Sequence, residues 1–262
     1  MLSEACISCF RQLDPQWIDP AGALVVMRVE GGDLAGALGA ASALTRDHPE
    51  SARAHFTLSY VLRYAGFLED AAHECDTALA LDSKNPGWRS CATVFDYLSQ
   101  YDRAFAFAKL DEGSEWYHTT AADIFLRRGE LRRALESSRK GFTGAPKELQ
   151  IYLEPCLEGR RAEDAGRLAM SLEPFFLAIR DSEPKFFFAS YFCHCGDPGP
   201  ALRLLRSAVE GNFLAYEAMD RDPLWKTLRG DPEFAAIRAL AVERQKPLLA
   251  LKPKPSPQSG GN

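Results

Sequence analysis

The sequence has almost no stretch in which β-branched residues alternate with polar ones, so a sheet is excluded as its framework. It has no run of about 18 apolar residues, which excludes a membrane-spanning helix. Met1 to Phe10 lacks a basic start, and Glu4, Arg11 and Asp14 interrupt the apolar stretch, so no secretory signal is expected. Phosphate-cradling glycine loops, the G-x-S-x-G serine elbow and the H-E-x-x-H zinc motif are all missing. His73-Glu74 comes nearest to the last, but Thr77 stands where its second histidine is needed. Neither sign of charge dominates. With 31 Lys and Arg against 36 Asp and Glu the net charge is −5, which leaves no concentrated positive field for nucleic-acid phosphates. Hydrophobic residues make up 46% of the 262, too many for a disordered chain and enough for a sizeable core.

Seven cysteines cannot all pair within one chain. Without an export signal, reduced thiols in a cytoplasm are the simplest expectation. Cys6-x-x-Cys9 has the spacing of half a zinc site, and Cys193-His194-Cys195 has ligand-type residues. A second pair at suitable spacing is missing, so neither a metal nor a cofactor is expected, and the thiols read as small buried packing residues.

What the chain does have is helical periodicity. From Ala54 to Ala65 the apolar side chains fall on one stripe of a 3.6-residue helix. Gly66 interrupts, a second stripe runs from Leu68 to Leu81, and Asp82 to Pro86 forbids continuation. This unit of helix, tight turn and helix recurs. Ala5, Ala37, Ala71, Ala104, Ala134, Ala165 and Ala201 follow a turn at similar offsets and lie 30 to 36 residues apart. The turns at Gly32, Gly66, Gln100, Gly129, Arg160 and Gly196 keep the same register. A fixed period of this length signals a solenoid, in which each hairpin buries its apolar face on its neighbours. Small residues such as Ala71, Ala78, Ala104, Ala108 and Ala134 allow close approach, while Leu58, Phe95, Phe125 and Phe192 fill the gaps.

The copy from Ala52 to Pro86 resembles the tetratricopeptide (TPR) repeat family. Its Leu58-Ser59, Gly66, Ala71, Cys75, Ala78 and Leu81-Asp82 stand at that family's large–small pair, turn glycine, packing residues and helix end. Trp88 occupies the aromatic slot of the next copy. The resemblance covers about residues 2–210 and implies an all-α, right-handed superhelical solenoid of antiparallel helical hairpins. Residues 1–17 read as a half repeat, the second helix alone, whose uncovered apolar face is expected to dock on Ala23 to Val29 and to favour self-association. About six hairpins fill 18–210, with Cys156, Pro174 and Gly199-Pro200 departing from the pattern. Capping helices are expected over 211–246, where Asp222-Pro223 and Asp231-Pro232 are N-caps followed by proline. A disordered Pro/Ser/Gly tail is expected over 247–262.

The family's geometry further implies a concave groove lined by the first helix of each hairpin. The residues it assigns there are Phe56, Tyr60, Arg63, Tyr64, Arg89, Asp96, Tyr97, Trp116, Asp123 and Arg127, with Thr93, Thr119, Gln150, Glu154, Phe186 and Ser190 beside them. Aromatics interleaved with Arg and Asp suit an extended peptide or a partner helix. Asparagines of the family's chaperone-tail clamp are missing from those slots. Arg127, Arg128, Arg132, Arg133 and Arg139 form the densest basic patch and read as a solvated helical face, with an acidic or phosphorylated ligand as the sharper alternative. The expectation is therefore a non-catalytic protein-interaction scaffold, not an enzyme. Its partner is another protein or peptide, acidic in the sharper reading, with no nucleic acid and no membrane involved. The alternative is a sensory or regulatory C-terminal portion of a larger signalling protein.

Overall fold

The structure is a computed structural model that describes residues 18–253; the expected half repeat at 1–17 and the residues from 254 onward lie outside the described residues. Among the described residues every regular element is helical. Six neighbouring pairs follow one another along the chain: α1 (Ile18–Glu30) with α2 (Leu34–Asp47), α3 (Ala52–Tyr64) with α4 (Leu68–Leu81), and α5 (Ala92–Tyr97) with α6 (Tyr101–Ala108). Then come α7 (Glu115–Arg127) with α8 (Leu131–Ser138), α9 (Lys147–Leu157) with α10 (Ala165–Ala178), and α11 (Ser182–His194) with α12 (Pro198–Glu210). The fold is an all-α array of helix pairs of the repeat type.

Each pair is closed by the same local chemistry. One residue per turn takes the left-handed conformation: Gly32, Gly66, Ser99, Gly129, Gly159 and Gly196. The N–H that follows it bonds a carbonyl five residues back, as Phe67 does to Leu62 at 2.9 Å and Glu130 to Phe125 at 2.8 Å. That bond satisfies a carbonyl which the helix end would otherwise leave without a partner. The register alanines Ala37, Ala71, Ala104, Ala134, Ala165 and Ala201 are all buried between helices, and Leu58, Phe95, Phe125 and Phe192 pack beside them. Proline is tolerated inside α9 and α10 for a simple reason. Residues Ile151 and Met170, four before Pro155 and Pro174, are exposed, so the carbonyls that lose a helical bond face water.

Past the sixth pair, α13 (Tyr216–Arg221), a 3-10 turn (Pro223–Trp225) and α14 (Pro232–Leu249) cover its apolar face. Asp222 caps the 3-10 turn through the Leu224 N–H at 2.8 Å, and Asp231 accepts from Glu233 at 2.7 Å and Phe234 at 3.1 Å. The expectation of a disordered tail from residue 247 is corrected over its first part. Pro247 lies within α14, Leu248 is buried, and Lys252 pairs with Asp70 at 2.6 Å. The helix continues because apolar Leu248 still has a core to enter.

The far end of the array also returns to its beginning. The Leu214 N–H donates to the Tyr64 carbonyl at 2.7 Å, Gln245 Nε2 to that of Ala65 at 2.8 Å, and Asn212 Nδ2 to that of Gly32 at 2.7 Å. The first helices of the pairs therefore face a shared, largely filled interior. None of the described helices is long and apolar enough to cross a membrane.

The expectation of fully reduced thiols is overturned as well. Cys75 is bonded to Cys91, joining α4 to the 3-10 turn before α5, and Cys156 is bonded to Cys195, joining α9 to the end of α11. Sequence reading missed both pairs because their partners are 16 and 39 residues apart and meet only after the helices stack. With its sulfur in a disulfide, Cys195 cannot form a chelating pair with Cys193, which is buried and sits 3.3 Å from the Thr227 hydroxyl. Cys6 and Cys9 lie outside the described residues.

Candidate functional site

The shared interior contains a cavity of about 540 Å³. Its wall is built from α3, the turn before α5, α5 itself, α7, the loop after α8, the end of α10 and the start of α11. Of the ten residues assigned to the groove, Tyr60, Arg63, Arg89, Asp96, Tyr97, Trp116 and Asp123 line it, as do Thr93 and Thr119. The space is a half-open pocket walled by residues between 60 and 188.

Three of the ten do not reach the cavity. Phe56 stacks on Trp88 with ring centroids 4.8 Å apart. Tyr64 is buried, its hydroxyl donating to Asp181 at 2.6 Å and its ring meeting Phe213 edge-on. Arg127 is fully enclosed and removed from the solvated basic face expected for it. Its neighbours keep that character: Arg128 pairs with Asp102, Arg132 with Glu136, Arg133 with Glu130 and Arg139 with Glu154. Phe186 and Ser190 are buried, and Gln150 donates to the Ser138 carbonyl at 2.6 Å.

The arginines that do line the cavity are already engaged. Arg63 donates from Nη1 to the Ser90 carbonyl and from Nη2 to Glu183, each at 2.8 Å, with Nε 2.7 Å from the other Glu183 oxygen. Arg89 lies 3.1 Å from Asp111 and 5.5 Å from the Trp116 ring centroid. Arg63 is thus paired with an acid of the same chain through both Nε and Nη2, and Arg89 through Nε.

Carboxyls gather behind the cavity wall, around the enclosed Arg127. Arg127 Nη2 lies 2.7 Å from Asp222, Nη1 contacts Asp123, and Asp96 stands 3.3 Å away. One guanidinium thus serves three carboxyls. Asp96 shares a side-chain hydrogen bond with Asp123, and the buried Tyr97 hydroxyl has no hydrogen-bond partner. Burial pushes the Asp96 carboxyl well above the usual carboxylate range, with Arg127 pulling it back and Asp123 pushing it further up. Burial likewise raises Asp123, and it lifts Glu183 to about 7 against the pull of Arg63.

The upper wall is apolar and aromatic. Phe142, Phe176, Phe187 and Phe188 line it, and the exposed rings of Trp116 and Phe175 stand at its mouth, 61% and 41% accessible. Sequence reading missed this half of the site, together with Glu183 and Asp222. The later copies drift in length, so the family's groove positions could not be transferred there, and Arg127 and Asp222 stand 95 residues apart.

His55, on α3, is held through both ring nitrogens. His55 shares a hydrogen bond with Glu74 at 2.5 Å through Nδ1 and one with the Pro49 carbonyl at 2.8 Å through Nε2. Among the described residues no cluster of His, Cys, Asp and Glu has the arrangement of a metal site. No protein-family model matches the chain, and no curated protein is significantly similar to it. The tetratricopeptide likeness therefore rests on the repeat register alone.

Proposed function

We propose that the protein is a non-catalytic interaction module of tetratricopeptide type, whose interior cavity takes a side chain from a peptide segment of a partner protein. One observation carries this reading: a cavity of about 540 Å³ with aromatic walls opens between two exposed rings, Trp116 and Phe175. Large exposed aromatics beside a concave apolar site are the usual anchors of recognition, because rigid rings bury much area at small entropic cost. The volume suits one or two side chains and not a whole helix, which narrows the partner from a helix to an extended peptide. A displayed library of random octapeptides selected on the full chain tests this. Enrichment is expected on the wild type and on Arg139→Ala, whose side chain is on the outer face, and is lost in Tyr60→Ala combined with Arg89→Ala. Enrichment that survives the double change, in protein that retains its helical circular dichroism, would overturn the reading.

A further inference from the structure

We propose that the side chain taken by this cavity is an uncharged aromatic one, carried by a partner peptide as phenylalanine or tryptophan. The proposal rests on the peptide-binding reading above and adds the chemistry of the ligand. It departs from the acidic partner to which the arginines of the sequence point.

Each charged side chain of the wall already has a partner inside the protein. Arg63 meets Glu183 twice, through Nη2 at 2.8 Å and Nε at 2.7 Å. Arg89 pairs with Asp111 at 3.1 Å. Asp96 and Asp123 share a hydrogen bond and lie against the enclosed Arg127. Glu115 accepts from the Thr143 N–H at 3.2 Å. A charged side chain that entered would shed its water, which is costly for an ion that gains no partner of its own. A glutamate would have to share Arg89 with Asp111, and a lysine would have to share Glu183 with Arg63. The wall therefore disfavours both signs of charge.

Much of the remaining wall is aromatic. Phe176 and Phe188 stack with ring centroids 3.9 Å apart, Phe187 meets Phe188 edge-on at 5.0 Å, and Phe142 lies 5.8 Å from Phe188. Aromatic pairs favour edge-on or offset contact at about 4.5–7 Å, and a ring from the ligand would extend this cluster in the same geometry. Ala145, Ile179 and Pro184 fill the wall between the rings with apolar carbon. An aromatic side chain also removes much apolar area from water for few rotatable bonds, so it gains most from such a wall.

The test is calorimetry on the full chain with the N-acetyl methylamides of phenylalanine, cyclohexylalanine, lysine and glutamate. The phenylalanine probe is expected to bind about tenfold or more tightly than the lysine and glutamate probes, with cyclohexylalanine, similar in size but without a π face, between them. Ala145→Trp, placed to fill the cavity from the loop after α8, should abolish phenylalanine binding. Trp116→Ala, at an exposed position, should weaken it while the helical circular dichroism is kept. Equal or tighter binding of the lysine or glutamate probe overturns the proposal, as does full-strength phenylalanine binding in both variants. If no probe binds, octapeptides enriched on the full chain decide. Loss of their binding when their aromatic residues are replaced by alanine supports the proposal, whereas survival overturns it and keeps the peptide reading. Binding of the phenylalanine probe with no octapeptide enriched overturns the peptide source and keeps the aromatic class, and absence of both overturns both readings.

Discussion

Gly66 and Gly129 close equivalent turns with φ of +76° and +74°, yet their surroundings differ completely. A Cβ at Gly129 meets nothing, whereas one at Gly66 lands on the Leu214 carbonyl and crowds Gln245 Nε2 at 2.8 Å. At Gly129 the glycine serves only the left-handed backbone; at Gly66 it also lets the far end of the chain approach. Gly129→Ala should therefore cost about 1 kcal/mol, the ordinary penalty for a left-handed alanine. Gly66→Ala should cost about 3 kcal/mol or more, since backbone must shift as well. Urea denaturation of the two variants checks this, and equal losses would mean that residues 214 and 245 do not pack on the turn. The same scale shows why acids are misread from sequence. Asp222 is a good helix cap on its face, and it does cap, through Leu224, but its other oxygen holds Arg127. Local spacing reveals the first role and carries no trace of the second.

Among the elements, the α3–α4 pair was the most legible. Its apolar stripes, Gly66 and the stop at Asp82 to Pro86 place both helices within two residues of where they lie. Helix α7 was legible as a helix but not in its facing: Asp123 and Arg127 are four apart, which reads equally as an exposed ion pair or, as found, a buried one. Only the arrival of α5 and of Asp222 from the cap decides between them. The disulfides belong to this scale too, since each ties one helix pair to the next. In the chain-entropy picture, closing loops of these lengths is worth about 3 kcal/mol for Cys75–Cys91 and about 4 kcal/mol for Cys156–Cys195. Non-reducing peptide mapping should recover both linkages, and reductant should lower the melting temperature by several degrees. A map with Cys75 and Cys91 carrying free thiols, or a melting temperature indifferent to reductant, would contradict this pairing.

At the scale of the molecule, residues 212–252 return onto the first two helix pairs, while the cavity itself is walled by residues between 60 and 188. Repeat register indicated which helices face inward, and seven of the ten groove residues do line the cavity. It could not indicate the return of the chain's far end, because the contacts that make it, such as Gln245 with Ala65, are 180 residues apart in sequence. The interior cavity as the binding site can be checked by fluorine NMR on protein labelled with 5-fluorotryptophan. The chain has four tryptophans, of which Trp116 stands at the cavity mouth and Trp225 is buried in the cap. Titration with an octapeptide enriched on the full chain should move the Trp116 signal, assigned through Trp116→Phe, in a saturable way, while the Trp225 signal stays in place. A saturated complex in which the Trp116 signal has not moved would contradict binding at the interior cavity.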